Sequence, residues 1–72
     1  MNKIVIFLIA CTTCDLERLY FDYNYKSISD CSDKAHEIYK TLGTFHWYEE
    51  GKYQHSAYYT PDGKLIIGHR CD

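Results

Sequence analysis

The sequence predicts an α+β fold: a mainly antiparallel sheet of about five strands with one helix packed on one of its faces. Three observations predict it. Five segments have strand-like patterning, one stretch has the apolar spacing of a helix, and the length of 72 residues suits a single domain spanning residues 1–72. The elements follow in the order strand, strand, helix, strand, strand, strand.

The first predicted strand is the apolar run from Ile4 to Ala10. A continuous apolar run of this length is typical of a central strand buried on both faces. The run, with Lys3 before it and Leu8-Ile9-Ala10-Cys11 at its end, also resembles a bacterial lipoprotein signal. A short lipoprotein is therefore one alternative. The run is too short to cross a bilayer, which takes about 20 apolar residues.

The second strand and the helix follow from periodicity. Polar and apolar residues alternate from Leu19 to Lys26, which indicates a half-buried strand. Ser29 and Ser32 are candidate N-caps of the helix, and Gly43 is its expected end. The apolar stripe of the helix, at i, i+3, i+4 and i+7, is Ala35, Ile38, Tyr39 and Leu42.

Three further strands are predicted after the helix: Thr44 to Tyr48, Tyr53 to Thr60, and Lys64 to Cys71. The residues between them have turn chemistry, with Pro61 fixing φ early in the second turn and Gly63 available for positive φ at its exit. Alternation along the last strand predicts four residues on one face: Leu65, Ile67, His69 and Cys71.

Four cysteines predict a metal site. Cys11 and Cys14 form a Cys-x-x-Cys pattern, and Cys31 and Cys71 supply two further thiolates. Four such ligands suit a closed structural Zn²⁺ site, and a chain of this size gains stability from a staple. We therefore predict zinc bound by all four cysteines. A smaller mixed site of Cys31, His69 and Cys71, or free or paired thiols, are the alternatives.

The zinc prediction sets a geometric condition. Cys31 and Cys71 are both expected in the layer between helix and sheet, at one end of the sheet if every element alternates in direction. Cys11 and Cys14 then lie at the other end. A seven-residue strand is ~23 Å long, whereas each thiolate lies ~2.3 Å from its zinc. One shared site therefore requires a short or bent second strand, or a helix that does not alternate in direction.

An enzyme is an alternative, because a strand leading into Cys11 and Cys14 resembles the start of thioredoxin-like and glutaredoxin-like oxidoreductases. The resemblance implies that Asp15 to Tyr20 form a helix and that Cys11 is a nucleophile at the N-terminus of that helix, where its pKa would be lowered. The proline that this family places before its late strands is missing, since the chain's one proline is Pro61 in a turn. The sequence shows no other catalytic motif, so the main prediction is a protein that is not an enzyme.

Binding to another protein is the main functional prediction. A formal charge of −2 argues against unassisted contact with a nucleic-acid backbone. The chain carries eight tyrosines, mostly on predicted strands, and a sheet covered by one helix leaves its other face open. Such a face flanked by carboxylates suits a basic partner; alternatively, the rings only support a thin sheet. The predicted contact residues are Tyr20, Asp22, Tyr48, Glu49, Glu50 and Tyr58.

The order of the elements, the helix from Ser32 to Leu42 and the aromatic strands from Phe45 to Ile67 resemble small phage-encoded anti-CRISPR proteins. This resemblance implies an inhibitor in the cytoplasm of the host cell that occupies the nucleic-acid-binding surface of an RNA-guided nuclease. Acidic residues would there compete with phosphate for Lys and Arg. The class has no common signature, so the resemblance transfers no residue roles.

Overall fold

A computed structural model describes residues 2–72 of the chain, except for the side chains at positions 48, 50 and 53–55. It contains one helix and five strands in the predicted order. The elements are β1 (Lys3–Ile9), β2 (Glu17–Asp22), α1 (Ile28–Leu42), β3 (Thr44–Glu50), β4 (Tyr53–Tyr59) and β5 (Leu65–Cys71). The strands form one sheet in the order β2-β1-β5-β4-β3, with antiparallel neighbours throughout. The predicted α+β fold is confirmed.

β1 is the central strand of the core, as its continuous apolar sequence predicted. It pairs with β2 on one side and with β5 on the other. Ile4 and Ile6 are fully buried against the helix, and Val5 is fully buried on the opposite face of the sheet. The residues that resemble a lipoprotein signal therefore form an interior strand of the sheet, between β2 and β5. The rest of the buried core on the helix side is Leu8, Cys31, Ala35, Ile38, Tyr39 and Ile66.

β2 is shorter than the alternation predicted, because it ends at Asp22 and not at Lys26. Tyr23 and Tyr25 lie beyond the strand, yet both pack against the core. The chain turns there towards the helix and is held by Asn2, whose carbonyl accepts from Tyr23 N and whose Nδ2 donates to Tyr25 O. The alternation of polar and apolar residues therefore extends beyond Asp22, where the pairing of β2 with β1 ends.

The helix begins earlier than either predicted cap. Its N-cap is Ser27, whose hydroxyl accepts from the backbone N of Asp30 at 3.1 Å. The Asp30 carboxylate in turn accepts from Lys26 N at 2.9 Å and from the Tyr23 hydroxyl at 3.1 Å. Ser29, one of the predicted caps, lies inside the helix. The bond from Asp30 N to the Ser27 hydroxyl, together with the bonds that the Asp30 carboxylate accepts, fixes where the helix starts.

Gly43 ends the helix, as predicted, but for a steric reason. Its N–H donates to Tyr39 O at 2.9 Å, and its φ of −149° is extended backbone that any residue adopts. A Cβ at this position would lie 2.6 Å from the backbone oxygen of Tyr59 in β4. Glycine is required because helix and sheet approach so closely here.

A β-bulge in β5 overturns the predicted face of that strand. Phe7 pairs with Gly68 and Leu8 pairs with Ile66, so Ile67 is an extra residue in β5. Ile66, His69 and Cys71 therefore face the helix, whereas Leu65 lies on the other face and Ile67 is exposed. The prediction that Leu65 and Ile67 share a face with Cys71 is wrong, because one inserted residue inverts the alternation.

The β3–β4 hairpin extends away from the rest of the sheet. Within the described residues, β4 pairs with β5 only at Tyr58 with Ile66 and at Tyr59 with Leu65. The remainder of the hairpin continues without β5 beside it, and the molecule measures 43 × 25 × 18 Å. Gly51 has a φ of +58° at its tip, which glycine adopts without strain.

Candidate functional site

The four cysteines form two disulfides, Cys11–Cys14 and Cys31–Cys71. The predicted zinc site is therefore wrong. No group of three or more His, Cys, Asp or Glu side chains among the described residues is placed to hold a metal ion, which also removes the mixed site with His69. The physical reason is strand direction. Cys71 pairs with Ile4 at the start of β1, whereas Cys11 follows the end of β1, so a strand length separates the two pairs.

The Cys31–Cys71 disulfide belongs to the core. Cys31 is fully buried in the first turns of the helix, and Cys71 packs against the same cluster from the end of β5. The bond joins positions 40 residues apart and so connects the helix to the C-terminal strand. The prediction that both sulfurs lie between helix and sheet is confirmed.

The Cys11–Cys14 disulfide lies on the surface, in the loop between β1 and β2. Both cysteines are exposed, and Cys14 N donates to Cys11 O at 3.2 Å across the turn. The Thr13 hydroxyl lies 3.6 Å from Cys11 Sγ and is the donor, because a disulfide sulfur carries no hydrogen. Cys11 is exposed because the chain leaves the sheet immediately after β1.

An apolar groove of about 430 Å³ lies beside this disulfide. It is lined by Ile9 at the end of β1, by Tyr59 and Leu65 from the neighbouring strands, and by Cys11. Cys14 does not line it. Cys11 is therefore the cysteine of this disulfide that lines the groove.

The structure does not form the helix that the oxidoreductase resemblance implied. Glu17 to Tyr20 belong to β2, which pairs with β1 from the register Leu8 with Glu17 onward. The described residues also contain no cis peptide bond. Cys11 and Cys14 therefore lie in the exposed loop between β1 and β2 and not in a thioredoxin-like framework.

A tyrosine–histidine cluster lies between the helix and β5. Tyr39 Oη and His69 Nδ1 are hydrogen-bonded at 2.7 Å, and the His36 ring lies 6.1 Å from the His69 ring. Burial raises the pKa of Tyr39, and burial together with the electrostatic influence of the neighbouring His36 ring lowers the pKa of His69. Sequence analysis missed this pair, although Tyr39 was on the predicted apolar stripe and His69 was placed on the face of Cys71.

Among the side chains of the hairpin that the structure describes, two large aromatic ones are about half exposed. They are Phe45 at 50% and Trp47 at 56%, which share one face of β3 two residues apart. Phe45 packs edge-on against Tyr58 at 5.3 Å, and Tyr58 packs on Tyr39 of the helix at 5.8 Å. The two rings therefore continue the helix-bearing face outward onto the hairpin. The single tryptophan was the available sequence signal, but its exposure depends on where the hairpin leaves the sheet.

The predicted contact residues do not all lie together. Tyr20, which is 62% exposed, and Asp22 lie on β2 at one edge of the sheet, whereas Glu49 lies on β3 at the opposite edge. Tyr58 is half-buried and supports Phe45. The side chains of the two other predicted contact residues, Tyr48 and Glu50, lie outside the described residues. Roles for these residues in binding stay predictions.

The sheet face opposite the helix carries basic groups beside its aromatic rings. The guanidinium groups of Arg18 and Arg70 each lie 5.8 Å from the centre of the Phe7 ring. Arg70 also donates two hydrogen bonds to the Asp72 carboxylate, at 2.7 and 2.8 Å, which raises the pKa of Arg70 and lowers that of Asp72. Basic and acidic groups are thus mixed on this face.

Comparison of the chain with protein-family models, with curated proteins and with solved structures finds no match. Within residues 2–72, no helix combines the length and the hydropathy that a bilayer crossing requires. The function is therefore argued from the geometry alone.

Proposed function

We propose that this protein binds another protein through the β3–β4 hairpin and acts by occupying a surface of that partner. The observation that carries the proposal is the exposure of Phe45 and Trp47 on a hairpin that leaves the sheet. Burying one large apolar side chain contributes about 1.5–3 kcal/mol, and tryptophan is among the residues that dominate binding energy at interfaces. The Phe45 ring is held in place before binding by its contact with Tyr58.

The charges near the rings favour a basic partner surface. The Trp47 indole N–H donates to a carboxylate oxygen of Glu49 at 3.4 Å, so a negative charge lies beside the aromatic anchor. β3 contains two glutamates and neither lysine nor arginine. A groove that is apolar at its base and rimmed by Lys or Arg would match this combination.

An RNA-guided nuclease is the partner class that the anti-CRISPR resemblance suggests. Such nucleases hold their RNA–DNA duplex in a positively charged channel, which has the required chemistry. The two disulfides favour an oxidising compartment instead, because disulfides are rare in the cytosol. We therefore propose that binding be tested with both the oxidised and the reduced protein.

The single tryptophan gives a direct test. Protein labelled with 5-fluorotryptophan is titrated with purified RNA-guided nucleases, with and without guide RNA, and the ¹⁹F signal of Trp47 is followed. Binding through the hairpin shifts this signal. Trp47→Ala, whose affinity is measured by isothermal titration calorimetry because it lacks the probe, should bind about 30-fold more weakly, corresponding to about 2 kcal/mol. Tyr20→Ala, an exposed ring on the opposite edge of the sheet, is the matched control and should leave the affinity unchanged.

Two outcomes count against the proposal in different ways. A nuclease that binds without shifting the Trp47 signal, or that depends equally on Tyr20, would refute the hairpin as the binding element. Failure of every nuclease to bind either redox form would refute that partner class.

A further inference from the structure

We propose that Cys11 and Cys14 form a thiol–disulfide exchange site that oxidises pairs of cysteines in apolar polypeptide segments. The activity is separate from hairpin docking, because the groove beside Cys11 includes Tyr59 and Leu65, on the sheet face opposite Phe45 and Trp47. The proposal depends on access to the disulfide, on the groove and on the surrounding loop.

The two disulfides differ in how accessible they are to an external thiolate. Cys11 and Cys14 are both exposed, whereas Cys31 is fully buried and Cys71 packs against the core. Exchange requires a thiolate to reach a sulfur in line with the bond, so exposed disulfides are the labile or catalytic ones. An external thiolate can reach the loop disulfide while the core disulfide stays protected by the fold.

The groove selects both the substrate and the sulfur that is attacked. Its lining is largely apolar and includes Ile9, Tyr59 and Leu65, so a polypeptide segment with apolar side chains beside its cysteine would bury them there. Because Cys11 lines the groove and Cys14 does not, the substrate sulfur is brought to Cys11. Cys14 is then the departing thiol.

The exchange proceeds in two balanced steps. A substrate thiolate attacks Cys11 Sγ, the Cys11–Cys14 bond breaks, and Cys14 leaves as a thiolate that takes a proton from water. The second substrate thiolate then attacks the substrate sulfur of the mixed disulfide and releases Cys11 as a thiolate. The Thr13 hydroxyl, 3.6 Å from Cys11 Sγ, is placed to donate to that departing thiolate. The substrate dithiol loses two electrons and two protons, and a small disulfide such as oxidised glutathione restores the Cys11–Cys14 bond.

The fold can open this bond without unfolding. The two cysteines lie in the loop beyond the last register pair of β1 and β2, Leu8 with Glu17, and they are three positions apart. Reduction therefore frees a short exposed turn and leaves the strand pairing in place. The Cys31–Cys71 disulfide supplies an internal control in the same molecule.

The test uses two reduced synthetic peptides, each with a pair of cysteines flanked either by Leu and Val or by Glu. Oxidation is followed with the full chain as catalyst and oxidised glutathione as acceptor. We expect the apolar peptide to be oxidised at least about ten-fold faster than the acidic one, as burial of one apolar side chain in the groove predicts. Cys11→Ser and Cys14→Ser should each abolish turnover, with circular dichroism confirming that both variants stay folded.

Trapping identifies the attacked sulfur. Each single-cysteine variant is first converted to a mixed disulfide with thionitrobenzoate and then mixed with an apolar peptide that carries one cysteine. In Cys14→Ser the peptide thiolate should attack Cys11 Sγ, displace thionitrobenzoate and stay bound, whereas in Cys11→Ser the same exchange at Cys14 should be about ten-fold slower, because Cys14 does not line the groove. Alkylation and tryptic mapping should place reduced thiols on residues 4–18 and leave Cys31 on residues 27–34 unmodified. Oxidation no faster than with glutathione alone, equal rates for the two peptides, or modification of Cys31 would overturn the proposal.

Discussion

Removing the core disulfide should destabilise the protein far more than removing the loop disulfide. The perturbation is the pair Cys31→Ala and Cys71→Ala, compared with Cys11→Ala and Cys14→Ala. The first bond joins positions 40 apart and the second joins positions three apart. Loop-closure entropy gives about 4 kcal/mol for the longer loop and about 2 kcal/mol for the shorter one. Burial adds to the difference, since Ala in place of the fully buried Cys31 leaves a small void worth about 1 kcal/mol.

The expected loss of about 4–5 kcal/mol is large beside the total stability of a domain of this size, about 4–11 kcal/mol. The midpoint of thermal unfolding should therefore fall by tens of degrees, or the double variant should be unfolded at room temperature. Guanidinium unfolding followed by far-ultraviolet circular dichroism measures the difference. Trp47 fluorescence is unsuitable, because the ring is already half exposed in the folded protein.

The loop double variant is the matched control, since it removes the same number of sulfur atoms. Equal destabilisation by the two double variants would refute the assignment of one disulfide to the core and the other to the surface. Loss of less than about 1 kcal/mol from the core variant would show that the long loop is already closed in the unfolded state.

Three further predictions concern Gly43, His69 and the effect of a chelator. Gly43→Ala should cost about 1–3 kcal/mol in urea unfolding, because its Cβ would lie 2.6 Å from Tyr59 O, whereas Gly68→Ala, with no atom within 4 Å of the new Cβ, should be close to neutral. Burial and His36 lower the pKa of His69 below 6.5, so the contribution of His69 to stability is complete above pH 6.5 and is lost as the pH falls through the folded-state pKa. Thermal unfolding between pH 7 and 5 should show this loss of stability. The variant His69→Gln should show a smaller loss over the same pH range. A chelator should leave the unfolding midpoint of the oxidised protein unchanged, since disulfides and not zinc join the cysteines, and a cooperative loss of structure would contradict this.

Much of the fold was predictable because local spacing reports which side of an element is buried. The run Ile4 to Ala10 predicted a central strand, and the stripe through Ala35 and Tyr39 predicted the buried side of the helix. Both patterns depend on residues close in sequence. The tertiary structure shifted the ends of this strand and this helix, but both elements are present.

The functional features were less accessible to sequence reasoning, because each depends on a contact between distant segments. Ile67 reverses the face of β5 through a bulge that exists only in the pairing with β1. Trp47 is exposed because β4 pairs with β5 over such a short stretch. Gly68, directly after Ile67, is a local signal of the bulge, since glycine within a strand often marks one, but it does not show which residue is inserted.

The cysteines show most clearly what each level determined. The sequence by itself determined that Cys31 lies on the buried side of the helix, and the alternation of strand direction already separated Cys31 and Cys71 from Cys11 and Cys14. The face of β5 that carries Cys71 depended on the bulge at Ile67, which local alternation did not predict. Only the tertiary structure decided the partners, by placing Cys71 beside the start of β1 and Cys11 beyond its end. The physical reason is that a sulfur's partner depends on strand order and direction across the whole sheet, whereas its burial depends on the neighbouring residues along its own element.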